Sequence, residues 1–215
     1  MKHLTFHFDP VSPFAYLAFE ALPDALEGHS YLVDYRPVLF AGLLQRFGQK
    51  GPAEIEPKRA WTFRQIAWTA SRQGTPIAVP TPHPFNPLAL LRLALASAPA
   101  AGLPNRRVVE LVMRHVWRGG GADPNDAARL AALHEVVAPV RDPAGDEVKA
   151  ELRAATEAAA DAGVFGVPTI EVDGRLFWGL DALPMLAAYL GADPWFDGPQ
   201  WEEAGRARGG VLRRP

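Results

Sequence analysis

Residues 4–18, LTFHFDPVSPFAYLA, place a strand pattern directly before a helix pattern. Apolar and polar side chains alternate from Lys2 to Phe8, which predicts a half-buried strand that ends at Asp9-Pro10. Ser12 then stands at the position of a helix N-cap with Pro13 at N1, and apolar residues follow at helical spacing. A strand therefore leads, through a short turn, into a helix whose N-terminus is Ser12.

A second strand and a long helical block follow this beginning. Tyr31 to Pro37 predicts a strand, so this part of the chain forms a β-α-β unit whose two strands are parallel. From Leu39 to about Ala162 the sequence is rich in Ala, Leu and Arg and is interrupted by Pro and Gly clusters, which predicts several helices joined by loops. The last of these helices is predicted from Asp146 to Ala162, with Gly163 ending it.

The strand pattern returns after the helical block. Val167–Val172 and Arg175–Trp178 predict an antiparallel pair joined by the hairpin turn Asp173-Gly174, and a final helix is predicted from Asp181 to Leu190. The order β-α-β, helices, β-β-α predicts an α/β protein of the thioredoxin-like fold with an inserted helical domain. The expected division is residues 1–40 and 163–193 as the thioredoxin-like domain, 41–162 as the inserted domain, and 194–215 as a loosely ordered C-terminal tail.

Composition excludes several classes of function. The 215 residues include no cysteine, which excludes disulfides, thiolate metal sites and a cysteine nucleophile. The net charge is −2 and the cations are scattered apart from a short basic tail, so we expect neither nucleic acid nor a membrane as partner. The sequence shows no signal peptide, no transmembrane stretch and no metal-ligand spacing of histidines, which predicts a cytoplasmic protein without a metal. The basic tail consists of Arg206, Arg208, Arg213 and Arg214.

Ser12 occupies the place where thioredoxin-type proteins usually carry the first cysteine of Cys-Pro-x-Cys. The motif here is Ser12-Pro13-Phe14-Ala15, so the proline remains and both cysteines are replaced. A serine hydroxyl at this position can donate a hydrogen bond to an incoming thiolate, and the helix dipole lowers the pKa of that thiol. The alternative is an ordinary helix start, since Ser-Pro is a common N-cap pair without further function.

A second motif, Gly166-Val167-Pro168-Thr169, favours the thiol interpretation. In thioredoxin-like folds a proline at the start of the third strand is typically cis and lies against the helix N-terminus. The backbone of the residue before it is then exposed and binds an extended peptide as an added strand. Glutathione is such a peptide, so Ser12 and Val167 together predict a glutathione site.

Three segments resemble the 2-hydroxychromene-2-carboxylate isomerase family, which is related to kappa-class glutathione transferases and to the DsbA oxidoreductases. The segments are FDPVSPFAYLA at 8–18, FGVPT at 165–169 and FWGLD at 177–181. The resemblance implies that Ser12 is the catalytic residue, that glutathione is the cofactor and that the protein is a homodimer. The residues implied in glutathione binding are Val167, Pro168, Trp178, Gly179, Leu180 and Asp181.

Asp181 has two interpretations. The resemblance implies that its carboxylate receives the γ-glutamyl ammonium of glutathione. The residue type at that position is equally consistent with a simple N-cap for the last helix, and one side chain can serve both roles.

The resemblance also implies a substrate pocket formed by Leu44, Glu54, Ile55 and the loop that carries Phe85. Here the sequence departs from the naphthalene-pathway isomerases, in which a lysine is expected at Leu44, an Asn-Arg pair at Glu54-Ile55 and an arginine at Ala182. The resemblance therefore leaves open whether the aromatic-derived substrate carries a carboxylate.

Two tryptophans in the helical block add a further candidate. Trp61 and Trp68 lie two helical turns apart, a spacing that favours packing in the core. The alternative is an aromatic substrate wall that they form together with Phe63 and Phe85.

Three functions are consistent with these patterns. The resemblance implies a glutathione-dependent isomerase, in which reversible thiol addition allows cis-trans rotation in a ring-opened aromatic catabolite. A kappa-like glutathione transferase or peroxidase uses the same thiol site. A redox-inactive thioredoxin-like module that binds extended peptides at Pro168 needs no catalysis at all.

Overall fold

The computed structural model describes residues 1–206 and contains a four-stranded sheet in the order β2-β1-β3-β4. The strands are β1 (Lys2–Phe8), β2 (Tyr31–Pro37), β3 (Thr169–Val172) and β4 (Arg175–Trp178). β1 pairs with β2 in parallel and with β3 antiparallel, and β3 pairs antiparallel with β4. The predicted thioredoxin-type sheet is confirmed. Arg208, Arg213 and Arg214 of the basic tail lie outside the described residues.

Helices connect and cover this sheet. They are α1 (Pro13–Ala25), α2 (Phe40–Arg46), α3 (Glu56–Gln73), α4 (Leu88–Ala96), α5 (Arg106–Trp117), α6 (Ala127–Val137), α7 (Asp146–Asp161), α8 (Leu183–Leu190) and α9 (Gln200–Gly205). The predicted helical block between the two halves of the sheet corresponds to α2 through α7. None of the helices within residues 1–206 is both long enough and apolar enough to cross a membrane.

β1 is a central strand, and this explains why it is more buried than its alternating pattern indicates. Its apolar side chains are fully buried, and the ring of Phe6 contacts the rings of Phe19 and Tyr35. His7, on the opposite face, is buried as well, and its Nε2 lies 3.2 Å from the Glu171 carboxylate on β3. Both faces of β1 are therefore covered.

One large apolar cluster joins the sheet to the helical block. It includes Phe6 of β1, Phe19 of α1 and Val112 of α5, all fully buried. The predicted division into a thioredoxin-like domain and an inserted domain stays a prediction, because side chains from both parts share this core.

The second half of the sheet follows the predicted hairpin. Asp173 and Gly174 have φ angles of 51° and 74°, the left-handed conformation that a tight two-residue turn requires. The helix predicted from Asp181 is α8, and it begins at Leu183 because a 3₁₀ turn over Leu180–Ala182 precedes it. The predicted end of this helix at Leu190 is confirmed.

The prediction that Trp61 and Trp68 pack in the core is wrong. Their exposed fractions are 65% and 67%, and they lie on the outer face of α3. Ile66 and Ala70 occupy the buried face instead, and Phe63 is half-buried beside the core. The i, i+7 spacing placed both tryptophans on one helix face, but which face meets the core is decided by the packing partners.

The prediction of a loosely ordered tail over residues 194–215 is wrong for the described part, 194–206. A 3₁₀ turn forms over Pro194–Phe196 and α9 follows it. Phe196 is only 7% exposed, because its ring packs near the rings of Phe177 and Tyr189. Residues 194–206 therefore pack against β4, the strand at one edge of the sheet.

Candidate active site

Ser12 lies at the N-cap of α1, as predicted, and faces the loop before β3. Its Oγ accepts a hydrogen bond from the backbone N–H of Ala15 at 3.2 Å. The same hydroxyl donates to the carbonyl oxygen of Val167 at 3.2 Å, and the Val167-Pro168 peptide bond is cis. The structure therefore brings together the two motifs on which the sequence prediction depends.

The hydroxyl of Ser12 has one proton to donate. The Ala15 N–H holds the oxygen in place, while the proton is directed to the Val167 carbonyl, a neutral acceptor. A thiolate arriving beside Val167 would be a stronger acceptor for this proton, since hydrogen bonds to charged groups are stronger than neutral ones. It would also meet the positive end of the α1 dipole. The arrangement can thus stabilise a sulfur anion.

The turn that carries Ser12 is held by Asp9, which is fully buried. One carboxylate oxygen accepts the N–H of Val11 and the other accepts the N–H of Phe40, both at 2.9 Å. The Asp9 carbonyl accepts the N–H of Ser12 at 3.0 Å. Burial raises the pKa of the Asp9 carboxyl to about 7, although the two backbone N–H groups oppose that rise. Asp9 thereby ties the Ser12 turn to the first residue of α2.

His83 lies on the opposite side of the same turn. Its Nε2 is 2.9 Å from the carbonyl oxygen of Val11, so Nε2 carries the proton and donates it. Nδ1 is buried without a hydrogen-bond partner in the described chain, and burial lowers the pKa of the imidazole. The ring lies 5.2 Å from Phe63 and 6.2 Å from Phe85, between centroids. The predicted aromatic wall of Phe63 and Phe85 thus borders the Ser12 turn, without Trp61 and Trp68.

The other predicted substrate residues form a separate group. Leu44 lies on α2 and is 9% exposed. The Glu54 carboxylate accepts the backbone N–H of Gly51 at 2.6 Å, which closes a short turn before α3. Ile55 is the N-cap residue of α3 and is half-buried. This group connects to Ser12 through α2, whose first residue is held by Asp9.

The predicted γ-glutamyl segment lies beside the cis-proline loop. The indole of Trp178 packs on Phe165, with ring centroids 4.8 Å apart, and covers Gly166. A Cβ at position 166 would lie only 2.7 Å from the Trp178 Nε1, so any larger residue there would displace the indole. Gly179, with a φ of 97°, donates its N–H to the Pro168 carbonyl at 2.9 Å. These contacts fix the segment against Pro168.

Asp181 does not cap α8, the helix predicted to begin at this residue, so the N-cap interpretation is wrong. The N-cap residue of α8 is Ala182, and no side chain caps that helix. The Asp181 carboxylate is exposed and forms no ion pair or hydrogen bond with the rest of residues 1–206. Leu180 is half-buried in the 3₁₀ turn before it. The carboxylate is available to a ligand.

The sequence patterns singled out neither Asp9 nor His83 as a site residue. Asp9 lies directly between a central strand and the Ser12 turn. Backbone N–H groups in such a buried turn need an acceptor, so this position is the sequence signal that could have identified Asp9. His83 binds a backbone carbonyl, which leaves no signal in the sequence. No group of three or more His, Asp or Glu within residues 1–206 is arranged to hold a metal ion.

Residues 3–191 match the protein family described as DSBA-like thioredoxin domain. The chain is 32% identical over 202 residues to the 2-hydroxychromene-2-carboxylate isomerase of Sphingobium xenophagum, covering 88% of this chain and 98% of that protein. It is 28% identical to the isomerase of the same name from Pseudomonas putida, covering 86% and 93%. Rat (Rattus norvegicus) glutathione S-transferase kappa 1 is 26% identical, covering 87% and 90%.

Solved structures agree on the fold. A 2-hydroxychromene-2-carboxylate isomerase superposes with a TM-score of 0.76 at 22% identity, covering 96% of this chain and all of that chain. The cytosolic disulfide reductase DsbM from Pseudomonas aeruginosa with GSH superposes with a TM-score of 0.56 at 18% identity, covering 88% and 98%. At these identities the superpositions show a common fold only.

Proposed function

The chain belongs to the DSBA-like thioredoxin family and, within it, to the family of the 2-hydroxychromene-2-carboxylate isomerases, and on this premise we propose that it is a glutathione-dependent isomerase. Its substrate is a ring-opened aromatic compound that undergoes cis-trans isomerisation. The observation that carries the proposal is the Ser12 hydroxyl at the N-terminus of α1, directed at the carbonyl of the residue before a cis-proline.

Three features of the chain fit glutathione. The Val167 N–H donates to no other group within residues 1–206, so an extended peptide can take both the N–H and the carbonyl of Val167. The free Asp181 carboxylate suits the γ-glutamyl ammonium. The Ser12 hydroxyl lies between Val167 and the helix N-terminus, where the cysteinyl sulfur of such a peptide is needed.

The residues of the chain have distinct tasks in this reaction. Bound glutathione would supply a thiolate that adds to a conjugated double bond, permits rotation about the resulting single bond and then leaves. Ser12 donates a hydrogen bond to the sulfur, without transferring its proton, and together with the α1 N-terminus lowers the pKa of the thiol. Asp9 and His83 hold the turn in which Ser12 lies. No group of the protein is consumed, and oxidation does not occur.

The aromatic wall supports a planar, apolar substrate. Phe85 is 7% exposed and Phe63 is half-buried, and both rings flank His83 beside the Ser12 turn. Contacts with the half-buried Phe63 would hold a conjugated substrate near the sulfur, while Phe85 supports this wall from within the core. His83 remains neutral because burial lowers its pKa, so it adds no charge to this wall.

A kappa-like glutathione transferase is the second candidate. Two observations favour it: the kappa transferase from rat is 26% identical over nearly the whole chain, and apolar side chains stand at Leu44, Ile55 and Ala182. A site without those cations suits uncharged electrophiles. The peptide-binding module needs only the free Val167 backbone. The homodimer implied by the resemblance and the cytoplasmic location expected from the sequence patterns stay predictions.

Ser12→Ala tests the proposal, with Ser97→Ala as the matched control. Ser97 ends α4 and donates its hydroxyl to the Ala94 carbonyl, away from the Ser12 turn. Loss of a single donor to a developing anion typically lowers turnover by about 100-fold, whereas loss of the N-cap costs about 1 kcal/mol of stability. For Ser12→Ala we therefore expect turnover to fall about 100-fold while the free energy of unfolding falls by only about 1 kcal/mol. For Ser97→Ala we expect near-normal turnover.

The assay follows the absorbance of 2-hydroxychromene-2-carboxylate during isomerisation in the presence of glutathione, with 1-chloro-2,4-dinitrobenzene as a generic electrophile in parallel. Conjugation without isomerisation would favour the transferase. Calorimetry measures glutathione binding directly, and no binding at millimolar glutathione would leave only the peptide module. Ser12→Ala with wild-type turnover would exclude the proposed role of the hydroxyl.

A further inference from the structure

A cleft separate from the Ser12 turn lies between α2, α4 and α7. Its volume is about 880 Å³. Its apolar lining includes Leu39, Leu88 and Leu152. The Leu39 N–H donates to Thr156 Oγ1 at 2.9 Å, which fastens the start of α2 to α7. None of the residues proposed to bind glutathione lines this cleft.

The charged lining of the cleft is mainly positive. Four cations face two carboxylates, although the whole chain has a net charge of −2. An excess of positive charge inside a concave surface raises the local concentration of anions. The charged residues are Arg46, Arg92, Lys149, Arg153, Glu157 and Asp161.

Two of these cations have no carboxylate partner among the described residues. Arg46 pairs with Asp161 at 3.4 Å and Lys149 pairs with Asp146 at 3.0 Å, whereas Arg92 and Arg153 form no ion pair within residues 1–206. Arg92 is the one charged residue of α4, whose other residues are all apolar. Its Nε is shielded from solvent and has no hydrogen-bond partner in the described chain. Residues 1–206 therefore supply no acceptor to this Nε, and an anion bound in the cleft would provide one.

The positions of the cations on α7 point to the same conclusion. Lys149 and Arg153 are four residues apart, so their side chains lie on one face of the helix and repel each other. Both line the cleft opposite Arg92 of α4. An anion placed between the two helices would offset this repulsion and give Arg92 an acceptor.

We propose that this cleft binds an amphipathic organic acid. Its acidic group lies between Arg92 and Arg153, with Lys149 nearby, and its apolar body rests on the leucines of α2, α4 and α7. The apolar lining distinguishes this site from one for a bare inorganic anion, which would gain nothing from the leucines. The site is independent of the proposed glutathione chemistry.

Fluorescence titration with two naphthalene dyes tests this site. 1-Anilinonaphthalene-8-sulfonate carries a sulfonate, and N-phenyl-1-naphthylamine is the same aromatic skeleton without a charge. We expect the sulfonate to bind with a stoichiometry of one, and at least about tenfold more tightly than the neutral dye, since a charge-assisted hydrogen bond contributes that much. Excess inorganic phosphate alone should displace it poorly.

Two variants locate the bound dye. Arg153 is exposed, so Arg153→Glu should fold normally and weaken sulfonate binding at least about tenfold. Arg92→Met keeps an unbranched apolar stem, removes the guanidinium and should have a similar effect. Arg64→Glu makes the same exchange as Arg153→Glu on the exposed surface of α3 and should leave the affinity unchanged. Thermal unfolding of each variant verifies that it is folded.

Four results would overturn the proposal. They are equal affinity for the two dyes, unchanged binding in Arg153→Glu and Arg92→Met, displacement of the dye by glutathione, and burial of the cleft by a second copy of the chain. Sedimentation tests whether a second copy of the chain buries the cleft. Loss of a dimer in Arg153→Glu would identify that second copy as the occupant. Retention of glutathione-dependent activity in Arg153→Glu keeps this test separate from the Ser12 proposal.

Discussion

Replacing Asp9 by asparagine probes the group that holds the Ser12 turn. The change keeps the shape of the side chain but exchanges one acceptor oxygen for an NH₂ group that faces a backbone N–H, either that of Val11 or that of Phe40. A buried donor without an acceptor costs about 1–3 kcal/mol. In the pH range where Asp9 is neutral in the folded protein, we expect Asp9→Asn to be the less stable protein.

The pH dependence of this difference follows from the raised pKa of Asp9. Between its ordinary pKa of 3.8 and its folded value of about 7, the folded protein keeps a proton that the unfolded chain has lost. The contribution of Asp9 to the free energy of unfolding of the wild-type protein is therefore greatest at low pH, and it is lost as the pH rises through this window. The pKa difference corresponds to about 4 kcal/mol, of which about 3 kcal/mol falls between about pH 4.5 and about pH 8. Asparagine does not titrate.

Urea unfolding at these two pH values measures the effect. The free energy of unfolding of Asp9→Asn, relative to wild type, should rise by about 3 kcal/mol from the lower to the higher pH. Other titrating groups, His7 and His83 among them, are present in both proteins and cancel. Asp24→Asn, at an exposed carboxylate, should show no such change. The reasoning would be refuted if the free energy of unfolding of Asp9→Asn relative to wild type were constant with pH, or if it fell as the pH rose.

Three further substitutions address the ligand loop, the aromatic wall and the C-terminal segment. Gly166→Ala places a Cβ 2.7 Å from the Trp178 Nε1, which displaces the indole, so calorimetry should show glutathione affinity lowered about tenfold. His83→Phe removes the hydrogen bond to Val11, and steady-state kinetics should show a lower kcat with nearly unchanged KM for glutathione. Phe196→Ala empties a buried site and should lower the free energy of unfolding by about 3 kcal/mol in urea.

Each of these substitutions has a control elsewhere in the chain. Gly205→Ala introduces a Cβ that meets no atom of residues 1–206 within 4 Å and should not affect glutathione binding. His134→Phe alters an exposed histidine of α6, and Trp195→Ala removes an aromatic ring that is 42% exposed. Wild-type kcat in His83→Phe would contradict a positioning role, and a loss in Phe196→Ala no greater than in Trp195→Ala would contradict the packing described for residues 194–206.

The elements that local chemistry determines were predictable from the sequence. β1 matches its predicted bounds, Lys2–Phe8, because alternation and the following Asp-Pro pair specify it. α1 begins where the Ser-Pro pair predicts, because Ser12 caps the helix with its own side chain. The Ser12–Val167 contact was predictable only because the fold brings those two motifs together.

The exposure of the α3 tryptophans, the role of His83 and the packing of the C-terminal segment depend on tertiary contacts that sequence periodicity does not reveal. Trp68 shares a helix with Ile66, and only the neighbouring helices decide which residue is buried. His83 acts on a backbone carbonyl, so no partner residue type marks it. Phe196 lies in a segment rich in Pro, Gly and Asp, yet it is ordered by the rings of Phe177 and Tyr189.

The absence of cysteine gives the Ser12 position a use as a measuring device. Ser12→Cys would create the only thiol in the chain, at the N-cap of α1 and beside the Val167 carbonyl. Its titration, followed by thiolate absorbance in the ultraviolet, would then report the electrostatic potential of this single point without interference from other sulfurs. Repeated in Asp9→Asn and His83→Phe, the same titration would measure how much each of these two residues contributes to the electrostatic potential at position 12.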